Sequence, residues 1–96
     1  MSAYTKALRL LGETERMISS EREREQRLHQ RHNEAEIKAV AELIAGGANE
    51  NDKGFNLRVA DKVWSATNAI ERCQANIKRL EERASTLRQV IHGEVN

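Results

Sequence analysis

The sequence contains no proline. Proline breaks a helix interior by removing an amide donor and crowding the preceding turn, so nothing here forces a long helix to stop. Aromatic residues are nearly absent, with only Tyr4, Phe55 and Trp64. No run alternates β-branched or aromatic with polar residues, which excludes an ordinary sheet. A single cysteine, Cys73, excludes an intrachain disulfide and fits a reducing compartment. No block of like charge exists: 16 Lys+Arg and 15 Asp+Glu interleave to a net charge of +1. That balance excludes an acidic nucleic-acid mimic and a protein that holds DNA by bulk charge. The opening MSAYTKALRLLGETER has no apolar stretch suited to a signal peptide or membrane span, so a cytoplasmic protein is expected.

What remains is rich in Ala, Glu, Leu and Arg, with 32 % charged and 39 % hydrophobic residues, the composition of long helices and coiled coils. A chain of 96 residues has room for one domain at most. Its clearest punctuation is GGANENDKG, residues 46–54. Gly46 and Gly47 follow a helical run and read as a left-handed cap, and the stretch to Gly54 is polar turn chemistry. One loop thus divides two helical arms.

In the second arm Val59, Val63, Ala66, Ile70, Cys73, Ile77, Leu80, Ala84, Leu87 and Ile91 recur at steps of four and three. This is an unbroken heptad seam on one helix face. Asp52 or Asn56 is placed to cap its start, and Gly93 to mark its end near Ile91–His92. The first arm is less regular. Tyr4, Leu8, Leu11 and Ile18 form one stripe, and Ile37, Val40, Leu43 and Ile44 another, out of phase with it. Between them residues 19–27 hold no apolar side chain. Pairs such as Glu21 with Arg24 favour a continuous helix over 3–45; a capping box at Ser20-x-x-Glu23 is the competing reading, with a break near residue 19.

The expected fold is therefore all-α: an antiparallel hairpin of two long helices, about 3–45 and 56–92. Folding the arms back places Val40 near Asp61 and Ile18 near Arg83. Ile77 and Leu80 then face glutamates and arginines. Burying such side chains is worth about 1.5–3 kcal/mol each, so a homodimer that covers them is expected, as a coiled coil or four-helix bundle. The association seam would comprise Val63, Ile70, Cys73, Ile77, Leu80 and Leu87.

Chemistry-bearing patterns are sparse. Glu25, His29, His32 and Glu36 share one helical face at a spacing that can hold a divalent metal, but lie in a charged helix without a familiar ligand set, and the expected reading is a solvated stripe with no metal. Cys73 in the seam reads as core. No phosphate loop follows a strand, and no catalytic residue or cofactor is assigned. Lys78, Arg79, Arg83 and Arg88 form a candidate basic flank for nucleic acid, interrupted by Glu71, Glu81 and Glu82 and without aromatics for base stacking. Phe55, Leu57 and Trp64 form a candidate anchor for a protein partner, tryptophan being a favoured hot-spot residue. The expectation is a non-enzymatic interaction module, an adaptor or inhibitor acting through helix faces on a larger protein. Phages and mobile elements make many small helical proteins of this kind to block host or anti-phage defence complexes. A nucleic-acid-associated accessory protein and a small enzyme with a site at a dimer interface are the alternatives.

Overall fold

The computed structural model describes the backbone of residues 2–95 and the side chains of residues 2–93. Among the described residues all regular structure is helical: α1 (Ala3–Ala45), α2 (Phe55–Lys62) and α3 (Trp64–Val95). The arms on either side of the loop form the expected antiparallel helical hairpin. No helix of the described residues is long and apolar enough to cross a membrane.

α1 is continuous. Ser2 caps it, its hydroxyl accepting the Thr5 N–H at 3.1 Å and its carbonyl the Lys6 N–H at 3.1 Å. There is no break near Ser19 or Ser20, because the surrounding Glu, Arg and Gln are good helix formers. The Glu21–Arg24 ion pair at 3.8 Å spans this polar stretch.

The end of α1 is a complete Schellman motif. The Ala48 N–H donates to the Leu43 carbonyl at 2.9 Å and the Gly47 N–H to the Ile44 carbonyl at 3.0 Å. Gly47 sits at φ 96, where an L side chain is strained. A Cβ there would meet nothing within 4 Å, so the whole cost of Gly47→Ala is backbone strain. We expect a loss of about 1 kcal/mol, seen as a drop of roughly 4–8 °C in the melting temperature. An unchanged melt would show that the cap does not hold the loop.

The start of the second arm differs from expectation. Its N-cap is Gly54 at φ 85, with no side-chain cap. Asp52 is instead used within the loop, where its carboxylate accepts the Asn49 N–H at 2.9 Å. Asn56 lies inside α2. At Val63 (φ −103, ψ 9) the helix is interrupted, although Val63 N–H still reaches Val59 O at 3.1 Å and Thr67 N–H reaches Val63 O at 3.0 Å. The Thr67 hydroxyl also donates back to Val63 O at 3.3 Å, a bond that bends helices. At the far end Gly93 does not stop the chain; α3 continues through it to Val95, since one glycine weakens a helix without breaking it.

The chain divides into two compact units, residues 1–24 with 73–96 and residues 25–72. In the first, α1 turns Tyr4, Ala7, Leu11, Thr14, Ile18 and Glu21 inward at steps of three and four. Ile18, Leu80 and Ala84 form its core, with Leu11 against them. Ala7, Thr14 and Ala84 are small, which permits close helix approach. The Thr14 hydroxyl, although buried, donates to Leu10 O at 2.7 Å and so leaves no unsatisfied group. Outside the core Glu15 pairs with Arg88 at 3.2 Å and Arg22 with Glu81.

These contacts correct the expected association seam. Leu80 is 3 % exposed and Ile77 8 %, so neither lacks cover within its own chain. The inward face of α1 includes Ile18, Leu11 and the stem of Glu21, and a long polar side chain covers apolar surface with its methylenes. Val63, Ile70 and Cys73 are buried as well, and Leu87 is half-buried. Ile77 and Leu80 are thus covered within the chain itself.

In the second unit the inward residues of α1 are Leu28, His32, Ala35, Ala39 and Leu43, with Val40 half-buried. Phe55, Val63 and Ile70 are buried in this unit too. His32 Nε2 lies 3.1 Å from Thr67 Oγ1, and Lys62 pairs with Glu42 at 3.5 Å.

Candidate functional site

Heptad letters locate the surface. With Ile18 and His32 at position a of α1, and Val63 and Ile77 at position a of the second arm, a and d mostly point inward; next to the loop the pattern drifts, with Leu43 (e) and Phe55 (g) buried and Glu42 (d) and Asn56 (a) exposed. The ion pairs Glu15–Arg88 and Arg22–Glu81 each join an e residue to an e residue, as antiparallel helices require.

In the 25–72 unit the corresponding e edge is open. A cleft of about 300 Å³ is bordered by Glu36, Ala60 and Thr67 at position e, over a floor that includes His32, Val59 and Val63. His32 is held on both sides, by Thr67 at 3.1 Å and by Glu36 at 3.8 Å. Trp64 lies one helical turn along the arm from Ala60 and from Thr67, both of which line the cleft. It is 64 % exposed, Leu57 is 72 % and Ile37 71 %, and Ile44 is exposed as well. Leu57 and Trp64 occupy b positions seven residues apart, and Ile37 and Ile44 occupy f positions at the same spacing. These exposed apolar side chains and the cleft are the candidate interaction surface of this unit.

The candidate anchor is thus divided. Leu57 and Trp64 face outward, whereas Phe55 is 5 % exposed and serves to dock α2. Ile37 and Ile44 join the surface instead. Their stripe with Val40 and Leu43 reads in sequence as one buried face, but the inward residues there are Ala39 and Leu43.

The candidate basic flank does not form. Lys78, Arg79, Arg83 and Arg88 occupy positions b, c, g and e, spread round the helix because their spacings do not match its period. Arg88 pairs with Glu15, and Arg79 donates to the side-chain amide oxygen Oδ1 of Asn76 at 2.6 Å. The histidine stripe is divided into local pairs, Glu25 with His29 at 3.7 Å and His32 with Glu36 at 3.8 Å. Among the described residues no group of three or more His, Cys, Asp or Glu is placed to hold a metal.

In the other unit a polar layer crosses the seam. The Cys73 thiol donates to the Glu21 carbonyl at 3.4 Å and to its carboxylate at 3.6 Å. The Asn76 amide holds the Glu21 carboxyl below the usual carboxylate range. Partial burial acts in the opposite direction, and Cys73 and Arg24 add to the lowering. Cys73 is 3 % exposed, so the layer acts within the helix contact and presents no reactive surface.

Large apolar residues alone point to Leu57 and Trp64, but not to the α1 part of the 25–72 surface or to the polar layer. The signal is the a/d register of α1 extended through its alanines and polar residues: once Ala35 and Ala39 are placed inside, Ile37 and Ile44 must lie outside. Comparison of the chain with known protein families, curated proteins and solved structures finds no match.

Proposed function

We propose that this chain is a non-enzymatic protein-binding module that meets its partner with the outer face of the 25–72 unit. The observation that carries this reading is the exposure of Trp64 beside a cleft, with Leu57, Ile37 and Ile44 exposed in the same unit. Tryptophan is enriched among the residues that dominate binding energy. Such a module acts on a larger protein by occluding or bridging it, and inhibition of a host or anti-phage defence complex is one form of that role.

Trp64→Ser tests the reading. Because the ring is mostly exposed, the substitution is expected to change stability by no more than about 0.5 kcal/mol. Affinity capture from cells of the source, using the wild-type protein and the variant, should recover a stoichiometric partner with the first and not with the second. Recovery of the same partner by both would overturn the assignment of this face.

A further inference from the structure

Resting on that reading, we infer that the partner presents a basic amphipathic helix to the outer face of the 25–72 unit. Charge is segregated around the two helical arms of this unit. Every Lys and Arg on them lies at position c or g: Arg27, Arg31 and Lys38 on α1, and Arg58, Lys62 and Arg72 on the second arm. The opposite side, positions e, b and f, has no Lys or Arg. Its acidic residues are Glu36, Asp61 and Glu71, all exposed. The cleft and the exposed Leu57 and Trp64 are on this acidic side, and Ile37 and Ile44, at position f, stand at its outer edge on the back of α1. Apolar anchors and negative charge thus coincide, and positive charge is confined to the other side.

Such a face selects its occupant by charge complementarity. Nucleic acids and anionic lipid surfaces are repelled by it. A second copy is disfavoured, since pairing this face with itself would set Glu36, Asp61 and Glu71 against one another. A helix with an apolar stripe fits the geometry. The seven-residue intervals Leu57–Trp64 and Ile37–Ile44 each span about 10 Å, two helical turns, and anchors at i, i+4 and i+7 of an incoming helix match that length. Lysines or arginines flanking its stripe would meet Glu36, Asp61 and Glu71.

Trp64, the one tryptophan of the chain, reports on its own face. The test titrates the full chain with two synthetic helices of about 18 residues, each with leucine at i, i+4 and i+7, one carrying lysine elsewhere and the other glutamate. The leucine–lysine helix is expected to shift Trp64 emission to the blue, to weaken as salt is added, and to bind at least about tenfold more tightly than the glutamate helix. The combined variant Glu36→Lys, Asp61→Lys and Glu71→Lys, checked for helicity by circular dichroism, is expected to reverse that order.

Equal binding of the two helices, or a preference for lysine that survives the triple substitution, would overturn the inference. So would a blue shift of Trp64 with rising protein concentration alone, accompanied by a dimer mass in sedimentation, because the face would then be covered by a second copy. If capture from the source yields a partner that depends on Trp64 while the lysine helix does not bind, the partner chemistry is wrong and the binding-module reading stands. If Trp64→Ser leaves capture unchanged, the module reading itself fails.

Discussion

Leu80→Ala is expected to cost about 2–5 kcal/mol of folding stability, the range for a buried leucine whose cavity only partly collapses. Leu80 is 3 % exposed and packs in one cluster with Ile18 and Ala84. A two-helix chain has a small core and belongs at the lower end of the usual 5–15 kcal/mol total, so the loss removes much of what holds it folded. The diagnostic feature is concentration. If Leu80 belongs to an intrachain core, the urea midpoint of the wild type is the same at protein concentrations about a hundredfold apart, and the variant is displaced equally at both. If Leu80 closed an intermolecular seam, the wild-type midpoint would rise with concentration by mass action. A matched Leu57→Ala variant, with its side chain 72 % exposed, should move the midpoint by no more than about 0.5 kcal/mol. Equal effects of the two substitutions would contradict the packing described for both units.

The contrast between Leu80 and Ile37 shows why one arm was legible in the sequence and the other was not. The seam of the second arm is written largely in Val, Ile and Leu at steps of three and four, so its inward face follows from periodicity alone, and Val63, Ile70, Ile77 and Leu80 are buried with Val59, Leu87 and Ile91 half-buried. α1 keeps the same period, but with Ala7, Thr14, Ala35 and Ala39 at inward positions and Glu21 and His32 among them. Size and polarity hide such positions from a search for large apolar residues. A search of that kind instead finds Ile37 and Ile44, which face outward. The interruption at Val63 had no sequence signature either. It coincides with two hydrogen bonds of the Thr67 oxygen, to Val63 and to His32, and the second exists only once the arms are paired. The loop was legible because Gly47 and Gly54 both adopt positive φ, which few other residues tolerate. The candidate surface of the 25–72 unit was half legible: Trp64 and Leu57 were found by their stripe, and the charge segregation required a register.

Register selection is the expected role of the Glu21 layer. A polar group inside a heptad seam lowers stability relative to a well-packed apolar residue but penalises every alignment that leaves it unpaired. Glu21 meets Asn76 and Cys73 only in the observed alignment, and Asn76 is itself fixed by Arg79. Asn76→Leu removes the amide that holds the carboxylate and is expected to cost about 1–2 kcal/mol, a discounted value for a partly exposed, charge-assisted hydrogen bond. The effect depends on pH with a definite sign. The Glu21 carboxyl is lowered in the folded chain from its ordinary value of 4.5. Its contribution is therefore fully present above that value and is lost as pH falls through the lower folded value. In Asn76→Leu the principal lowering influence is gone while burial remains, so the acid loss begins at higher pH than in the wild type. Glu21→Gln removes the titration altogether, giving lower stability at neutral pH and a flatter acid limb. The double variant Glu21→Leu with Asn76→Leu should recover most of the stability lost by Asn76→Leu alone, because no charge is left without its partner. Thermal melts of these proteins between about pH 3 and 7 decide the matter. Coincident acid limbs for wild type and Asn76→Leu would show that Asn76 does not govern Glu21. A double variant no more stable than Asn76→Leu would show that the layer contributes packing and leaves register to the surrounding apolar residues.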